Sequence, residues 1–228
     1  MKLSIIIPAY NSGQKIIKLI NKIKKISFPG ITKEIIVVDD CSTDNTYQIL
    51  KDTADIILIH HKVNTGKGGA VRSGLKKATG DILCIQDDDL EYDPLEIPLL
   101  LKPILEGKTK VVFGSRRLNK NNQYSSFLYY FGGMMIDSFI SFVLQANLTD
   151  AITGSKIFTR EVYNKIKPLE TNGFDIEAEI TVKAVKRGFR PLEIPISYNP
   201  RTHKEGKNIR WHHAFPILKA LFKYSFIK

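Results

Sequence analysis

Apolar residues in the first half of the chain recur with two alternating periods, and that alternation leaves few folds open. Compact apolar runs, "LSIIIPAY" (3–10), "KEIIVVDD" (33–40), "DIILIHH" (55–61), "DILCIQ" (81–86) and "KVVFGS" (110–115), read as buried strands. Between them, "GQKIIKLINKIKKI" (13–26) repeats its apolar residues at helical spacing with lysines on the opposite face. "GKGGAVRSGLKKATG" (66–80) reads as a glycine loop opening a helix that closes at Gly80, and "PLEIPLLLKPILEG" (94–107) as a helix starting after Asp93. Strands alternating with helices demand right-handed crossovers and a mostly parallel sheet, which is a Rossmann-like α/β fold. With 228 residues, 43% of them hydrophobic, and no repeat or linker, a single domain over 1–228 is the simplest organisation.

Sheets of this kind bind ligands outside the carboxyl ends of their strands. The polar clusters fall at those ends: Asp39 and Asp40 after the second strand, Asp87, Asp88 and Asp89 after the fourth, and Ser115 to Arg117 after the fifth. Three consecutive aspartates repel one another and raise each other's pKa unless a cation is present. Asp87, Asp89 and Glu91 offer hard oxygen ligands for Mg²⁺ or Mn²⁺; the competing reading is a solvated acidic loop. Asp39 and Asp40 either accept from a nucleobase N–H or a ribose hydroxyl, or cap the turn that follows, where Ser42 and Asp44 also stand. "NTGKGGAVRSG" lacks Walker A spacing, yet its glycines permit close backbone approach and Lys67 and Arg72 stand ready for an anion. Arg116 and Arg117 form a phosphate clamp or are surface arginines. The loop 199–210 carries Arg201, His203, Lys204, Lys207 and Arg210 around Gly206, the composition of a lid over a diphosphate.

A formal net charge of +11 attracts polyanions, but no RNP, KH or helix-turn-helix pattern appears, so nucleic acid is not the expected partner. No HExxH or Cys/His spacing suggests zinc, and no GxSxG elbow suggests a covalent nucleophile. Cys41 and Cys84 read as two buried free thiols of a reducing compartment, and the N-terminus runs directly into a strand without a signal-peptide pattern, so a cytoplasmic location is expected. The apolar stretch 127–148 is long enough to span a bilayer, but Asp137 falls inside it and Gly132–Gly133 interrupts it. One or two helices lying in the membrane interface or lining an acceptor groove are expected there, ahead of a core helix or a span, and the basic-aromatic tail "FPILKALFKYSFIK" suits a membrane surface. Asp175, Glu177 and Glu179 stand at a helix start, where they complement the dipole or supply a base.

Eight segments in order, "IIIPAYN", "EIIVVDDCSTDNT", "NTGKGGAVRSGL", "QDDDLEYDP", "VVFGSR", "TDAITGSKIFTREV", "FDIEAEITVKAVKRGFRPLEIPISY" and "RTHKEGKNIRW", resemble family 2 glycosyltransferases of the GT-A fold. The nearest branch is that of dolichyl-phosphate mannose synthases and polyprenyl-phosphate sugar transferases. The resemblance implies a metal-dependent inverting transfer from a GDP- or UDP-linked sugar to a polyprenyl phosphate at the cytoplasmic membrane face. It implies a nucleotide-sugar-binding half at 1–118 and an acceptor half at 119–228. Pro8, Tyr10, Asn11 and Asp39 then hold the nucleotide, and Lys67, Asp88, Arg117 and Arg201 belong to the substrate-binding set. Asp87 and Asp89 match the DxD metal motif with Glu91 as a third ligand, while Asp89, Arg116 and Lys207 carry the catalytic roles. An acceptor phosphate is already anionic and needs no protein base; a saccharide hydroxyl acceptor, or a silent membrane-surface binding protein, are the alternatives. The chain departs from the family at Ser12 (often Glu), Cys41 (often Gly) and Asp88 (commonly Ala), the last either shifting metal preference or facing solvent.

Overall fold

β1 (Lys2–Ala9) and β2 (Thr32–Asp39) run parallel with Ile5 opposite Ile35, and β4 (Ile82–Ile85) joins the other edge of β1 with Ile6 opposite Ile85. A computed structural model describes residues 1–123, 127–200 and 214–225. With β3 (Ile57–His60), β5 (Val111–Ser115), β6 (Lys156–Thr159) and β7 (Leu192–Pro195) the sheet has seven strands in the order β3-β2-β1-β4-β6-β5-β7. β6 pairs antiparallel with both β4 and β5; every other pair is parallel. The order reverses between β1 and β4, and a crevice opens at their carboxyl ends.

The period of two along each strand divides the core into layers. Ile5, Ile7, Val37 and Cys84 face α1 (Lys15–Lys25) and α4 (Ile97–Leu105), which return Ile16, Leu19, Ile20, Leu100 and Leu101. Ile6, Val38, Leu83 and Phe158 face the opposite layer of α3 (Gly66–Lys77), α6 (Arg160–Ile166) and α7 (Ile176–Lys186). A third cluster joins α7 to α5 (Phe127–Leu144) and α8 (Ala214–Ser225) through Ile140, Ala178, Val182, Ile217 and Leu221. The short α2 (Thr46–Lys51) connects β2 to β3.

Several expectations need correction. The glycines of 66–69 lie inside α3 rather than in a loop before it, and the helix ends at Lys77, not at Gly80. A Cβ on Gly66 or Gly68 would come within 2.4 Å of the carbonyl oxygens of Asn172 and Thr171, so these glycines serve helix–loop packing. α5 runs unbroken through Gly132–Gly133, and Gly133 gives room to Arg117, whose Nη2 would lie 2.8 Å from a Cβ there. No helix among the described residues is long and apolar enough to cross a membrane. Cys41 is half-buried rather than buried; Cys84 is buried, and burial pushes its thiol up to about 12.

Candidate active site

β1 ends at Ala9, and the next four residues form a tightly held turn. Asn11 and Gly13 take φ of 52° and 51°. The Asn11 amide donates to Ser42 Oγ, Asn11 Oδ1 accepts from the Thr43 and Asp44 amides, and the Gly13 amide donates to Thr46 Oγ1. Tyr10 is exposed at the crevice mouth, whereas Pro8 is buried in β1 opposite Val38.

The three aspartates after β4 diverge. Asp87 turns toward α3 and meets the Lys67 ammonium at 2.6 Å, which in turn reaches Glu177 at 2.9 Å. Asp88 Oδ2 accepts from the Tyr10 amide at 3.4 Å and from the Ser12 hydroxyl. Asp89 Oδ1 accepts from the Glu91 amide at 3.0 Å across a turn in which Leu90 has φ 61°. Glu91 is buried and accepts from the Tyr198 hydroxyl at 3.0 Å. Among the described residues no three carboxylate, imidazole or thiol groups converge on one point, so the set Asp87, Asp89 and Glu91 is not a preformed three-ligand cluster. Nor does Asp88 simply face solvent.

Behind Asp87 lies a line of buried charge that the sequence did not disclose. Glu177, in the first turn of α7, bonds Lys156 Nζ at 2.9 Å as well as Lys67. Lys156 is fully buried over the Phe113 ring. Burial works against all of these charges. Asp87 and Glu177 nonetheless hold the Lys67 ammonium well above its ordinary value, and Lys156 and Lys67 keep the Glu177 carboxyl low. At Asp87 burial wins and its carboxyl is pushed up against the pull of Lys67. Glu177 therefore bridges two lysines from the first turn of α7, beyond the helix-start role expected of it. Glu179 likewise faces inward, accepting from the Glu170 and Thr171 amides and from Lys183.

Asp39 and Asp40 differ sharply in role. Asp40 accepts from the Thr65 and Gly66 amides and from His61 Nδ1, whose Nε2 meets Ser73 Oγ; it caps α3. Asp39 is fully buried and its Oδ2 faces His60 Nδ1 at 2.7 Å under the Tyr47 ring, while its Oδ1 has no hydrogen-bond partner among the described residues. Arg72 is spent on the Glu170 and Thr171 carbonyls and Asn172 Oδ1, so the anion role offered for it is not what the structure shows.

On the far side of the crevice, Arg116 forks onto Asp150 through Nε and Nη2, both at 2.7 Å, and lies over the Tyr92 and Tyr198 rings. Asp150 is buried, yet Arg116 keeps its carboxyl low. Glu193 of β7 braces the pair by accepting from the Thr149 and Asp150 amides. Arg117 pairs with Asp137 of α5 and donates to the Thr149 carbonyl at 2.7 Å. Burial and the Asp150 charge push the Asp137 carboxyl up to about 7 against Arg117. The anchoring roles of Asp137 and Asp150 were invisible in sequence because each partner is distant along the chain. Tyr198 and Asn199 dock on Tyr92 and Glu91, so the base of the loop 199–210 sits beside the acidic turn. Arg201 and Lys207 themselves lie outside the described residues.

A mostly parallel sheet with an acidic turn at its switch point and arginines across the crevice is the arrangement of a GT-A fold. The fold agrees with solved structures of glucosyl-3-phosphoglycerate synthase from Mycobacterium tuberculosis. Its complex with uridine diphosphate covers 100% of this chain and 81% of its own at TM-score 0.75 and 19% identity. A second complex of that protein holds Mn²⁺, uridine diphosphate and phosphoglyceric acid, at TM-score 0.72. The description of glycosyl transferase family 2 matches residues 4–167, and the chain belongs to that family. Among its relatives, the dolichol-phosphate mannosyltransferase of Pyrococcus furiosus is 29% identical over 231 residues, 98% of this chain and 63% of that protein. The chain therefore spans less than two thirds of that relative's length. The UDP-N-acetylglucosamine–dolichyl-phosphate N-acetylglucosaminyltransferase of Methanococcus voltae is 29% identical over 228 residues, 90% of this chain and 89% of that protein.

Proposed function

We propose that the chain transfers a sugar from a GDP- or UDP-linked donor to a polyprenyl phosphate, with Mn²⁺ or Mg²⁺ and inversion at the anomeric carbon. One observation carries the choice of acceptor. Arg116 stands in the crevice while its neighbour Arg117 grips Asp137 of α5, whose outer face presents Phe131, Met135 and Phe142, the last 81% exposed. A crevice wall of arginines, each anchored on a buried aspartate, beside an aromatic face suits a ligand with a phosphate head and an apolar tail. α8 adds exposed Phe215 and Phe222 with Lys219 and Lys223, and Phe222 packs against Phe139 of α5. That combined face rests on anionic lipid. The names of the relatives in Pyrococcus and Methanococcus support the same acceptor class.

In this reading residues 1–118 hold the donor and 119–228 the acceptor. Asp39 Oδ1, a buried acceptor without a described partner, accepts a hydrogen bond from a nucleobase N–H or a ribose hydroxyl, and Pro8, Tyr10 and Asn11 form the rest of the cradle. Asp87 and Asp89 supply hard oxygens. The Lys67 ammonium seated on Asp87 supports a reading in which this carboxylate faces positive charge, and two carboxylates suffice where substrate phosphates complete the shell. A bound Mn²⁺ or Mg²⁺ would neutralise charge on the departing diphosphate. Glu91 braces Tyr198, and through it the face on which Arg116 lies, while Arg116 meets the acceptor phosphate. Lys207 and Arg201 reach the diphosphate from the basic loop, whose base is docked at Glu91 and Tyr92. The acceptor oxygen is anionic near neutral pH, so no side chain has to remove a proton from it.

The test is incubation of the full chain with polyprenyl phosphate, Mn²⁺ and radiolabelled GDP- and UDP-sugars. Label passing into the organic phase with one donor is expected. Label found only on added oligosaccharide would overturn the lipid acceptor in favour of a saccharide hydroxyl, and no label anywhere would overturn transfer itself.

A further inference from the structure

We infer that Asp88 is a positioning residue that locks the nucleotide cradle to the cation seat. The inference rests on the reading of the crevice as a nucleotide site. Asp88 shares a backbone with Asp87 and Asp89 but sends its carboxylate across to the turn after β1, where Oδ2 accepts from both the Tyr10 amide and the Ser12 hydroxyl. The opposite side of that turn is bound to the β2–α2 connection through Asn11 and Gly13. Tyr10 to Gly13 are thus clamped from two sides, with two residues held at positive φ, and Asp88 is the jaw that belongs to the acidic turn. Positive φ at a non-glycine residue such as Asn11 persists only where the surroundings over-determine it.

The parallel pairing of β1 with β4 sets the distance between the two loops only as far as Ile6 and Ile85, with one further bond from the Gln86 amide to the Ile6 carbonyl. Beyond that point β4 ends while β1 continues to Ala9 paired with β2, and the Asp88 contacts with Tyr10 and Ser12 carry the link from the acidic turn to the cradle. Moving the cradle relative to Asp87 and Asp89 would move a nucleotide relative to its metal. Ser12 and Asp88 are coupled here: removing Asp88 releases both contacts, and removing Ser12 leaves the jaw held by the 3.4 Å Tyr10 bond.

The test is calorimetric titration of UDP and GDP onto the full chain with Mn²⁺, beside Mn²⁺ binding alone by electron paramagnetic resonance. Asp88→Ala and Ser12→Ala each weaken binding of the preferred nucleotide about tenfold, the low end for a hydrogen bond to a charged group. The double variant is no weaker than the weaker single one, because without Asp88 the Ser12 hydroxyl has lost its acceptor in the clamp. Asp88→Asn, which keeps an acceptor oxygen, stays within about threefold of wild type. Mn²⁺ binding without nucleotide is unchanged in Ser12→Ala, donor KM rises with kcat near wild type, and amide exchange across residues 10–13 quickens in both alanine variants. Unchanged nucleotide affinity in the single variants, or a double variant that multiplies their effects, overturns the inference. If Asp88→Ala does not fold, Ser12→Ala, which loses one hydroxyl, decides the question by itself. No acceptor enters these titrations, so failure of the polyprenyl reading leaves their outcome intact. A wild-type chain that binds neither nucleotide overturns the nucleotide site and the positioning role together.

Discussion

Gly154→Ala is a sharp perturbation of the proposed cation seat from a residue that makes no bond to it. Gly154 does not take a positive φ, so alanine brings only its methyl group. That Cβ would stand 2.2 Å from Asp87 Oδ2 and 3.2 Å from Lys67 Nζ. Reaching an ordinary contact of 3.4 Å requires the carboxylate to retreat by about 1.2 Å. A side-chain end gives way more easily than backbone, so overpacking costs the fold only about 1 kcal/mol. A displacement of about 1 Å in a reacting assembly is worth on the order of 100-fold in rate. The variant should therefore melt within a few degrees of wild type while kcat/KM with Mn²⁺ falls about 100-fold and Mn²⁺ affinity drops in parallel. Kinetics, a thermal melt and Mn²⁺ titration by electron paramagnetic resonance read all three. A folded variant with wild-type Mn²⁺ affinity and a rate within about threefold would refute the placement of Asp87 in the seat.

Arg116→Lys replaces a fork on Asp150 by a single donor and leaves a buried carboxylate short of partners. Stability in urea should fall by about 2 kcal/mol, and transfer to lipid phosphate should fall more than donor binding. Burial pushes the Glu34 carboxyl up, but Lys2, Ser4 and Thr79 outweigh it and hold it at about 2. Because the folded-state value is depressed, the stabilisation is complete above the ordinary carboxylate range and is lost as pH falls toward about 2. Glu34→Gln should accordingly show a shallower loss of stability over that window in acid unfolding, and parallel curves would contradict the assignment. Phe142→Ser, at an 81% exposed position of α5, should reduce sedimentation with anionic vesicles roughly tenfold without changing the melting temperature.

The alternation of strand and helix, and the collection of polar letters at strand ends, were legible because both depend on local period and on the direction of parallel strands. So was the acidic turn, since three adjacent carboxylates need a physical reason wherever they fall. β6 escaped notice: "KIFT" is four residues with no alternation to read, and its antiparallel partners Ile82–Ile85 and Val111–Phe113 are fixed only by the folded sheet. The glycines of α3 and Gly133 of α5 looked like loop and helix-break signals, whereas their lack of a side chain makes room for groups far along the chain. Glu177 and Asp137 carried ordinary helix-start and segment-interior readings, and Asp150 carried none. Their partners Lys67, Arg116 and Arg117 lie 20 or more positions away, beyond any spacing rule. Ser12 and Asp88, two separate departures from the family pattern, become one feature only when β1 and β4 stand side by side.

The central claim is that Asp87 and Asp89 hold a divalent cation together with a nucleoside diphosphate. Mn²⁺ titration of the full chain, followed by electron paramagnetic resonance with and without UDP or GDP, tests it most directly. Binding of one Mn²⁺, tightened by one of the nucleotides and abolished in Asp89→Ala, is the predicted result. Mn²⁺ affinity that ignores both nucleotides, or survives intact in Asp89→Ala, would contradict it.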